Sequence, residues 1–281
     1  MCKEDLGIEV CRSEEGLFLS QRKYAIDLLN EVGKLGSRQN YKVFREGEPE
    51  DQPFKNVTQY RRLVGKLIYL TITRPDICFA VNQASQHMQA PKVHHWNIVN
   101  RIFKYIKGLP GQGIWMGCNN NTDLVGYCDA DYAGDKGDRR STSGYCTFLG
   151  GNLVTWKSKK QKVVSLSSAE SEYRAMRKLT TELMWLKNLL KDLGIDIMKP
   201  ITMHCDNEAA IHIATNSVFH ERTKHIEVDC HKVREQIQLG VTLPCHTESS
   251  EQLADVFTKA ASPQVCEYIH SKLGLIDLTK P

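Results

Sequence analysis

The 281-residue sequence contains no hydrophobic run approaching the roughly 20 residues of a membrane-spanning helix. It also lacks the features of a signal peptide, since it starts with the polar stretch Met1-Cys2-Lys3-Glu4-Asp5. Hydrophobic residues make up 41% of the chain and charged residues 25%, which excludes the disordered and fibrous classes. We therefore expect a soluble intracellular protein, cytoplasmic or nuclear, without membrane contacts and with one large domain or two smaller ones.

Closely spaced pairs of cysteines are missing as well. The chain has ten cysteines, but no two of them have the C-x-x-C spacing of zinc ribbons and redox motifs. Several lie in β-rich runs, so we expect reduced, mostly buried cysteines that act as small apolar residues. The cluster of His225, Cys230 and His231 lacks a second pair of soft ligands, and helical surface is the favoured interpretation of it.

A large net charge is absent too: the formal charge is +4 and the pI is near 8.4. Such a balance permits a polyanionic partner without requiring one. Local clusters of basic residues are therefore the better indication of such a partner. The best cluster consists of Lys157, Lys159, Lys160 and Lys162. It could hold a phosphate backbone, and the alternative is a solvated strand edge.

The first part of the chain shows a short hairpin pattern followed by helical patterns. Residues 6–19 predict a hairpin, because two apolar runs flank a Ser/Glu/Gly turn. Helices are predicted over residues 21–32, 59–70, 77–88 and 94–106. Glycines and Pro110 between residues 108 and 113 indicate a domain boundary. The predicted segments are 1–34, a linker at 35–57, a helical part at 58–118, and a domain at 119–281.

The later part of the sequence predicts a sheet in which two strands end in an aspartate. A strand over residues 124–129 ends in Asp129, and residues 145–149 and 153–156 form a hairpin around a Gly/Asn turn. Ser167 and Glu170 have the spacing of a capping box at a helix start. A further strand over residues 201–206 ends in Asp206. The order of elements is three strands, a helix, a strand, helices, a strand and a helix.

The long helix presents a carboxylate to its buried face. Its apolar stripe comprises Ala175, Leu179, Leu183, Leu186, Leu190 and Leu193. Glu172 lies on that inward face, whereas Glu170 is expected to point toward solvent. An unpaired buried carboxylate is costly, so a metal ion shared with Asp129 and Asp206 would explain Glu172. The alternative is a partly exposed salt bridge at the helix start.

A fourth acid, Asp255, follows a run over residues 241–245 at another transition from strand to helix. Four carboxylates at the ends of elements suit a hard cation such as Mg²⁺. Two such ions can activate a water and stabilise the leaving oxygen in phosphodiester cleavage. Without a cation the acids repel one another, which should raise at least one of their pKa values.

Several motifs together resemble a known family. They are Tyr127-Cys128-Asp129-Ala130-Asp131, Arg139-Arg140-Ser141-Thr142-Ser143-Gly144-Tyr145, Trp156-Lys157-Ser158-Lys159-Lys160-Gln161, Ser167-Ser168-Ala169-Glu170-Ser171-Glu172-Tyr173, Cys205-Asp206-Asn207 and His220-Glu221-Arg222-Thr223-Lys224-His225. They are similar to the ribonuclease H region of copia-type retrotransposon Pol polyproteins. Residues 60–70 and Thr73-Arg74-Pro75-Asp76 resemble the stretch after the polymerase, so the resemblance covers essentially the whole chain.

The resemblance implies an α/β fold, with a ribonuclease H-like mixed five-stranded sheet flanked by helices. A mainly helical remnant of the reverse-transcriptase thumb or connection would precede it. It further implies an endonuclease that cleaves the RNA strand of RNA–DNA hybrids. The family's acids fall on Asp129, Glu172, Asp206 and Asp255, as catalytic residues and ligands of two Mg²⁺ or Mn²⁺ ions, and Asp131 is a weaker ligand candidate.

Nucleic-acid contacts are expected from the lysine cluster and from Asn207, Arg222 and Lys224. Other Pol regions are possible partners, and the sequence sets no oligomeric state. The paired aspartates of a polymerase are absent, as are integrase and protease motifs, so we expect no DNA synthesis and a fragment or degenerate copy. Two alternatives remain: an inactive nucleic-acid-binding remnant, and an integrase-like strand transferase. The position of Glu172 in the first long helix argues against the transferase.

Overall fold

The computed structural model describes residues 2–35, 52–216, 227–260 and 263–277. The chain forms two compact units, Met1–Gly117 with Gly274–Pro281, and Cys118–Leu273. Among the described residues, each unit contains one five-stranded sheet. None of the helices in these residues combines the length and the hydrophobicity that a membrane-spanning segment requires. The segment boundaries predicted from the sequence stay predictions.

The first unit has an antiparallel sheet in the order β1-β2-β3-β4-β10. Its strands are β1 (Cys2–Asp5), β2 (Ile8–Arg12), β3 (Gly16–Ser20), β4 (Gln112–Gly117) and β10 (Leu275–Asp277). The strands β2 and β3 form the predicted hairpin, whereas the sequence did not indicate the other three. Cys11 is disulfide-bonded and lies opposite Cys2 in the ladder. The expectation of ten reduced cysteines is therefore wrong at Cys11, because sequence spacing does not show cross-strand proximity.

The helices of the first unit confirm the predicted ones to within a few residues. They are α1 (Arg22–Glu31), α2 (Val57–Leu70), α3 (Cys78–Ser85) and α4 (Val93–Gly108). Asn56 caps α2 by accepting a hydrogen bond of 2.9 Å from the backbone N–H of Gln59. The apolar faces of the helices share one core, in which Tyr60 and Phe103 are fully buried. Such faces, more than helix propensity, stabilise helices of this length.

The second unit has a mixed sheet in the order β7-β6-β5-β8-β9. Its strands are β5 (Leu124–Asp131), β6 (Thr142–Leu149), β7 (Asn152–Lys160), β8 (Ile201–Cys205) and β9 (Thr242–His246). The first three form an antiparallel meander, and β8 and β9 are parallel to β5. The helices are α5 (Ser168–Asp192), α6 (Glu208–Thr215), α7 (Glu227–Gln238) and α8 (Pro263–Lys272). The predicted order of strands and helices is confirmed.

Helix α5 is the main packing partner of this sheet. Ser167 accepts a hydrogen bond of 3.1 Å from the N–H of Glu170, and the Glu170 carboxylate accepts one of 2.7 Å from the N–H of Leu166. The predicted stripe is buried from Ala175 to Leu190, but Leu193 is 68% exposed. The prediction for Leu193 is wrong because the helix ends at Asp192 and the chain turns away.

Two glycines permit close packing against the central strands. A Cβ atom at Gly126 of β5 would lie 2.7 Å from the side chain of Leu179. One at Gly144 of β6 would lie 2.7 Å from the Cβ atom of Phe257. Gly144 is the antiparallel partner of Asp129. The missing side chain therefore lets the 3₁₀ helix Leu253–Phe257, which carries Asp255, pack directly beside Asp129.

Candidate metal centre and nucleic-acid interface

Four elements bring the predicted acids to one edge of the second sheet. Asp129 lies near the end of β5, and Asp206 directly follows β8. Because β5 and β8 are parallel neighbours with Tyr127 opposite His204, their register places these acids at the same edge. Glu172 comes from the first turns of α5, and Asp255 from the 3₁₀ helix beside β6.

The side chains form two overlapping groups. Asp129, Asp206 and Asp255 each offer a carboxylate oxygen, and these oxygens lie within 4.8 Å of one another. Glu172, Cys205 and Asp206 form a second group with the same limit. Asp206 belongs to both groups, so the four predicted acids converge on one region. Asp131, the other acid of the β5 motif, belongs to neither group.

Hydrogen bonds hold the acids in place. Glu172 accepts one of 3.1 Å from the N–H of Ala130, and Asp206 accepts one of 2.9 Å from the Ser249 hydroxyl. The hydroxyl of Thr258 donates to Asp129. Among the described residues, the buried Oδ1 atom of Asp255 accepts no hydrogen bond. A buried carboxylate oxygen without a donor is costly, which favours an additional cation at this point.

Three of the acids, Asp129, Glu172 and Asp255, have raised pKa values. Burial first, and the charge of Asp255 second, raise the pKa of Asp129 to about 7. Burial and the charge of Asp129 raise the pKa of Glu172 to about 10, and burial also raises that of Asp255. The expected rise is confirmed, although burial contributes more than repulsion. A divalent cation would relieve both causes, because it favours the charged form of its ligands.

Glu170 does not point into solvent as predicted. It is only 3% exposed and pairs at 2.8 Å with Arg174. Its Cα lies away from the apolar stripe, but its carboxylate turns back over the helix start and accepts a hydrogen bond from the N–H of Leu166. Helix periodicity gives the direction of the Cα–Cβ bond and leaves the destination of a flexible side chain open.

A basic groove lies between β7 and α5. It encloses about 580 Å³, and its lining includes Lys157, Lys159, Lys160, Lys162, Arg174, Arg177 and Lys178, with Glu182 as the acid. Lys160 pairs with Asp138 at 2.9 Å and with Asp135, so part of its charge is already neutralised. Lys157, Lys159 and Lys162 are exposed. The positive charge of the groove suits phosphate groups.

The three helix cations of this groove were missed from the sequence. Arg174, Arg177 and Lys178 are spaced three and four residues apart, so they share one face of α5. That spacing was visible in the sequence. The position of β7 beside α5, which joins these cations and the lysines in one surface, was not.

The remaining residues predicted to contact nucleic acid are Asn207, Arg222 and Lys224. Asn207 is the N-cap of α6, and its side chain accepts a hydrogen bond of 2.9 Å from the N–H of Ala210. Its role toward nucleic acid stays a prediction. Arg222 and Lys224 lie outside the described residues, as does His225 of the soft-ligand cluster.

The mixed sheet in the order β7-β6-β5-β8-β9, with α5 packed on it, defines the second unit as a ribonuclease H-like domain. The chain is 40% identical over 279 residues to the retrovirus-related Pol polyprotein from transposon RE2 of Arabidopsis thaliana. It is 32% identical over 283 residues to that from transposon TNT 1-94 of Nicotiana tabacum. Each alignment covers 96% of this chain. The chain belongs to the family of copia-type retrotransposon Pol polyproteins.

The chain spans 19% of the length of the RE2 polyprotein and 21% of the TNT 1-94 polyprotein. No family model matches the sequence. Among solved structures, LC11-RNase H1 in complex with an RNA/DNA hybrid is similar with a TM-score of 0.38 and 14% identity. That alignment covers 48% of this chain and 94% of LC11-RNase H1.

Proposed function

We propose that the second unit is a metal-dependent endonuclease that cleaves the RNA strand of RNA–DNA hybrids. The convergence of Asp129, Glu172, Asp206 and Asp255 into two groups that share Asp206 carries this proposal. One carboxylate common to two groups is the arrangement that a pair of neighbouring cations requires. Because the sequence lacks the adjacent aspartates of a polymerase, no DNA synthesis is expected of the chain.

The four acids would bind two Mg²⁺ ions, or two Mn²⁺ ions in their place. Asp206 would contact both ions, Asp129 and Asp255 would complete one position, and Glu172 the other. When bound, the ions would lower the pKa of an attacking water and stabilise the leaving oxygen. The carboxylates themselves hold negative charge in a buried place, and Thr258 and Ser249 fix two of them by hydrogen bonds.

The substrate would be held by its phosphates in the basic groove. Discrimination of RNA from DNA would use the 2′-hydroxyl groups that line the wide minor groove of the hybrid. The lysines of β7 and the cations of α5 supply affinity without sequence preference, because phosphates carry no sequence information. Other regions of the Pol polyprotein are proposed partners.

A second candidate function is a nucleic-acid-binding remnant without cleavage. The basic groove favours it, because its lining contains none of the four acids and binding there needs no ion. This candidate predicts binding to hybrids in EDTA and no products with Mg²⁺.

Cleavage of an end-labelled RNA–DNA hybrid decides between the two. We expect products with millimolar Mg²⁺, none with EDTA, and none from Asp129→Asn or Asp206→Asn, which keep the shape but lose a charge. The matched control is Asp123→Asn, because Asp123 precedes β5 and forms an exposed pair with Lys199. Products from Asp206→Asn at the wild-type rate would refute the assignment of the acids, and binding without products would favour the remnant.

A further inference from the structure

Lys259 brings a positive charge into direct contact with the acid centre. Its Nζ atom lies 2.8 Å from Oδ2 of Asp255. The Lys259 side chain is 49% exposed and that of Asp255 is 13% exposed, so the ammonium group reaches a mostly buried carboxylate from the solvent side. The long lysine stem can place its charged end either on the acid or in water.

The ammonium group interacts with more than its direct partner. Besides the ion pair with Asp255, the negative charges of Asp129 and Asp206 act on the Lys259 ammonium group. These three acids are the members of one of the two carboxylate groups. Lys259 thus offsets repulsion in the same group that would hold one of the ions.

We infer that Lys259 is an internal counter-cation of the acid centre, which holds Asp255 while no divalent ion is bound and gives it up when an ion enters. This inference rests on the proposed function. An ion at Asp129, Asp206 and Asp255 has to compete with the ammonium group for Asp255. An ion at Glu172 and Asp206 does not meet that competition directly, so the two positions should fill at different concentrations.

A plain ion pair between residues four positions apart is the simpler interpretation of Lys259. Such a pair would stabilise the protein equally with and without the ion. A counter-cation instead stabilises only the ion-free protein and weakens the binding of the ion. The two interpretations therefore differ in a measurement that requires no catalysis.

The test uses the full chain and follows its melting temperature during a titration with Mg²⁺ alone, starting in EDTA. Lys259→Gln should melt lower than the wild type in EDTA, and its melting temperature should begin to rise at a Mg²⁺ concentration about three- to tenfold lower. Lys259→Arg keeps the charge and should behave like the wild type. The matched control is Lys199→Gln, because Lys199 also pairs with an aspartate, Asp123, at 3.0 Å.

Three outcomes would overturn these claims. If the melting temperature of Lys259→Gln begins to rise at the wild-type Mg²⁺ concentration, with the same loss of stability in EDTA and in excess Mg²⁺, the counter-cation role is overturned and the proposed function stays intact. A wild-type protein whose melting temperature does not respond to Mg²⁺ overturns the metal centre itself. A rise that begins at a lower Mg²⁺ concentration in Lys199→Gln as well would show a general charge effect and would also overturn the specific role of Lys259.

Discussion

At the scale of single residues, Asp129 should link stability to the binding of the proposed ions. Its carboxylate is 4% exposed and lies beside other acids, so the metal-free protein holds a charge that it stabilises poorly. Asp129→Asn removes that charge and keeps an oxygen that can accept from Thr258. We expect the variant to be more stable than the wild type in EDTA at pH 8, by about 1 kcal/mol or roughly 3 °C. The shift caused by Mg²⁺ should shrink in the same variant.

The pH dependence of that difference follows from the raised pKa of Asp129. A carboxyl group whose pKa is about 7 when folded and 3.8 when unfolded favours the folded state at low pH. Its contribution is complete below about pH 4 and is lost as the pH rises through about 7. The stability gained by Asp129→Asn in EDTA should therefore grow between pH 5 and pH 8. A difference in melting temperature that is constant over this range would contradict the assignment, and the comparison cancels the titration of groups that do not interact with Asp129.

Residue-level reasoning from the sequence located the acids but not their surroundings. Glu172 was correctly assigned to the buried face, because the apolar stripe fixes which side of α5 meets the sheet. Glu170 was misplaced, because its side chain bends back to cap the helix. One buried oxygen of Asp255 accepts no hydrogen bond from the described residues, and the other lies against Lys259. Both features depend on the packing of a 3₁₀ helix against Gly144, which local sequence patterns do not predict.

At the scale of elements, β7 and α5 act as one basic surface. We expect Arg177→Gln and Lys157→Gln each to weaken binding of a labelled hybrid in EDTA and to lower the slope of log affinity against log salt by about 1. Lys187→Gln and Lys191→Gln are matched controls, because they remove the same charge from α5 outside the groove. Binding measured by anisotropy at several salt concentrations tests this. Equal effects of the groove and control variants would refute a localised phosphate site.

The strands and helices of the second unit were predictable because each has a strong local signal. Strand β5 alternates inward and outward residues, the turn of the β6–β7 hairpin carries Gly150 and Gly151 with positive φ, and α5 starts with a capping box. The sheet of the first unit was largely missed. Its strand β4 begins in a glycine-rich stretch that suggested a boundary, and its partner β10 lies about 160 positions further along the chain.

At the scale of the whole molecule, the two units have separate cores. Arg74 and Asp76 form an ion pair of 2.8 Å in the first unit, with exposures of 1% and 0%. Replacing Arg74 by Ala removes the positive charge that pairs with a buried carboxylate, so we expect a loss of about 3 to 5 kcal/mol in that unit. The Mg²⁺-dependent shift of the second unit should persist. Calorimetry with EDTA and with Mg²⁺ would show this, and loss of the shift in Arg74→Ala would mean that the units unfold together.

The pairing of β4 with β10 changes what the order of the chain means. The two strands run side by side in opposite directions, with Ile114 opposite Leu275 and the N–H of Trp115 donating to Gly274 O at 2.8 Å. The ribonuclease H-like domain is thus an insertion between two neighbouring strands. The chain leaves β4 to form this domain and returns to pair with β4 through β10. A deletion that starts at Gly274 would spare every residue of that domain and would instead strip the edge strand from the sheet in which the chain begins.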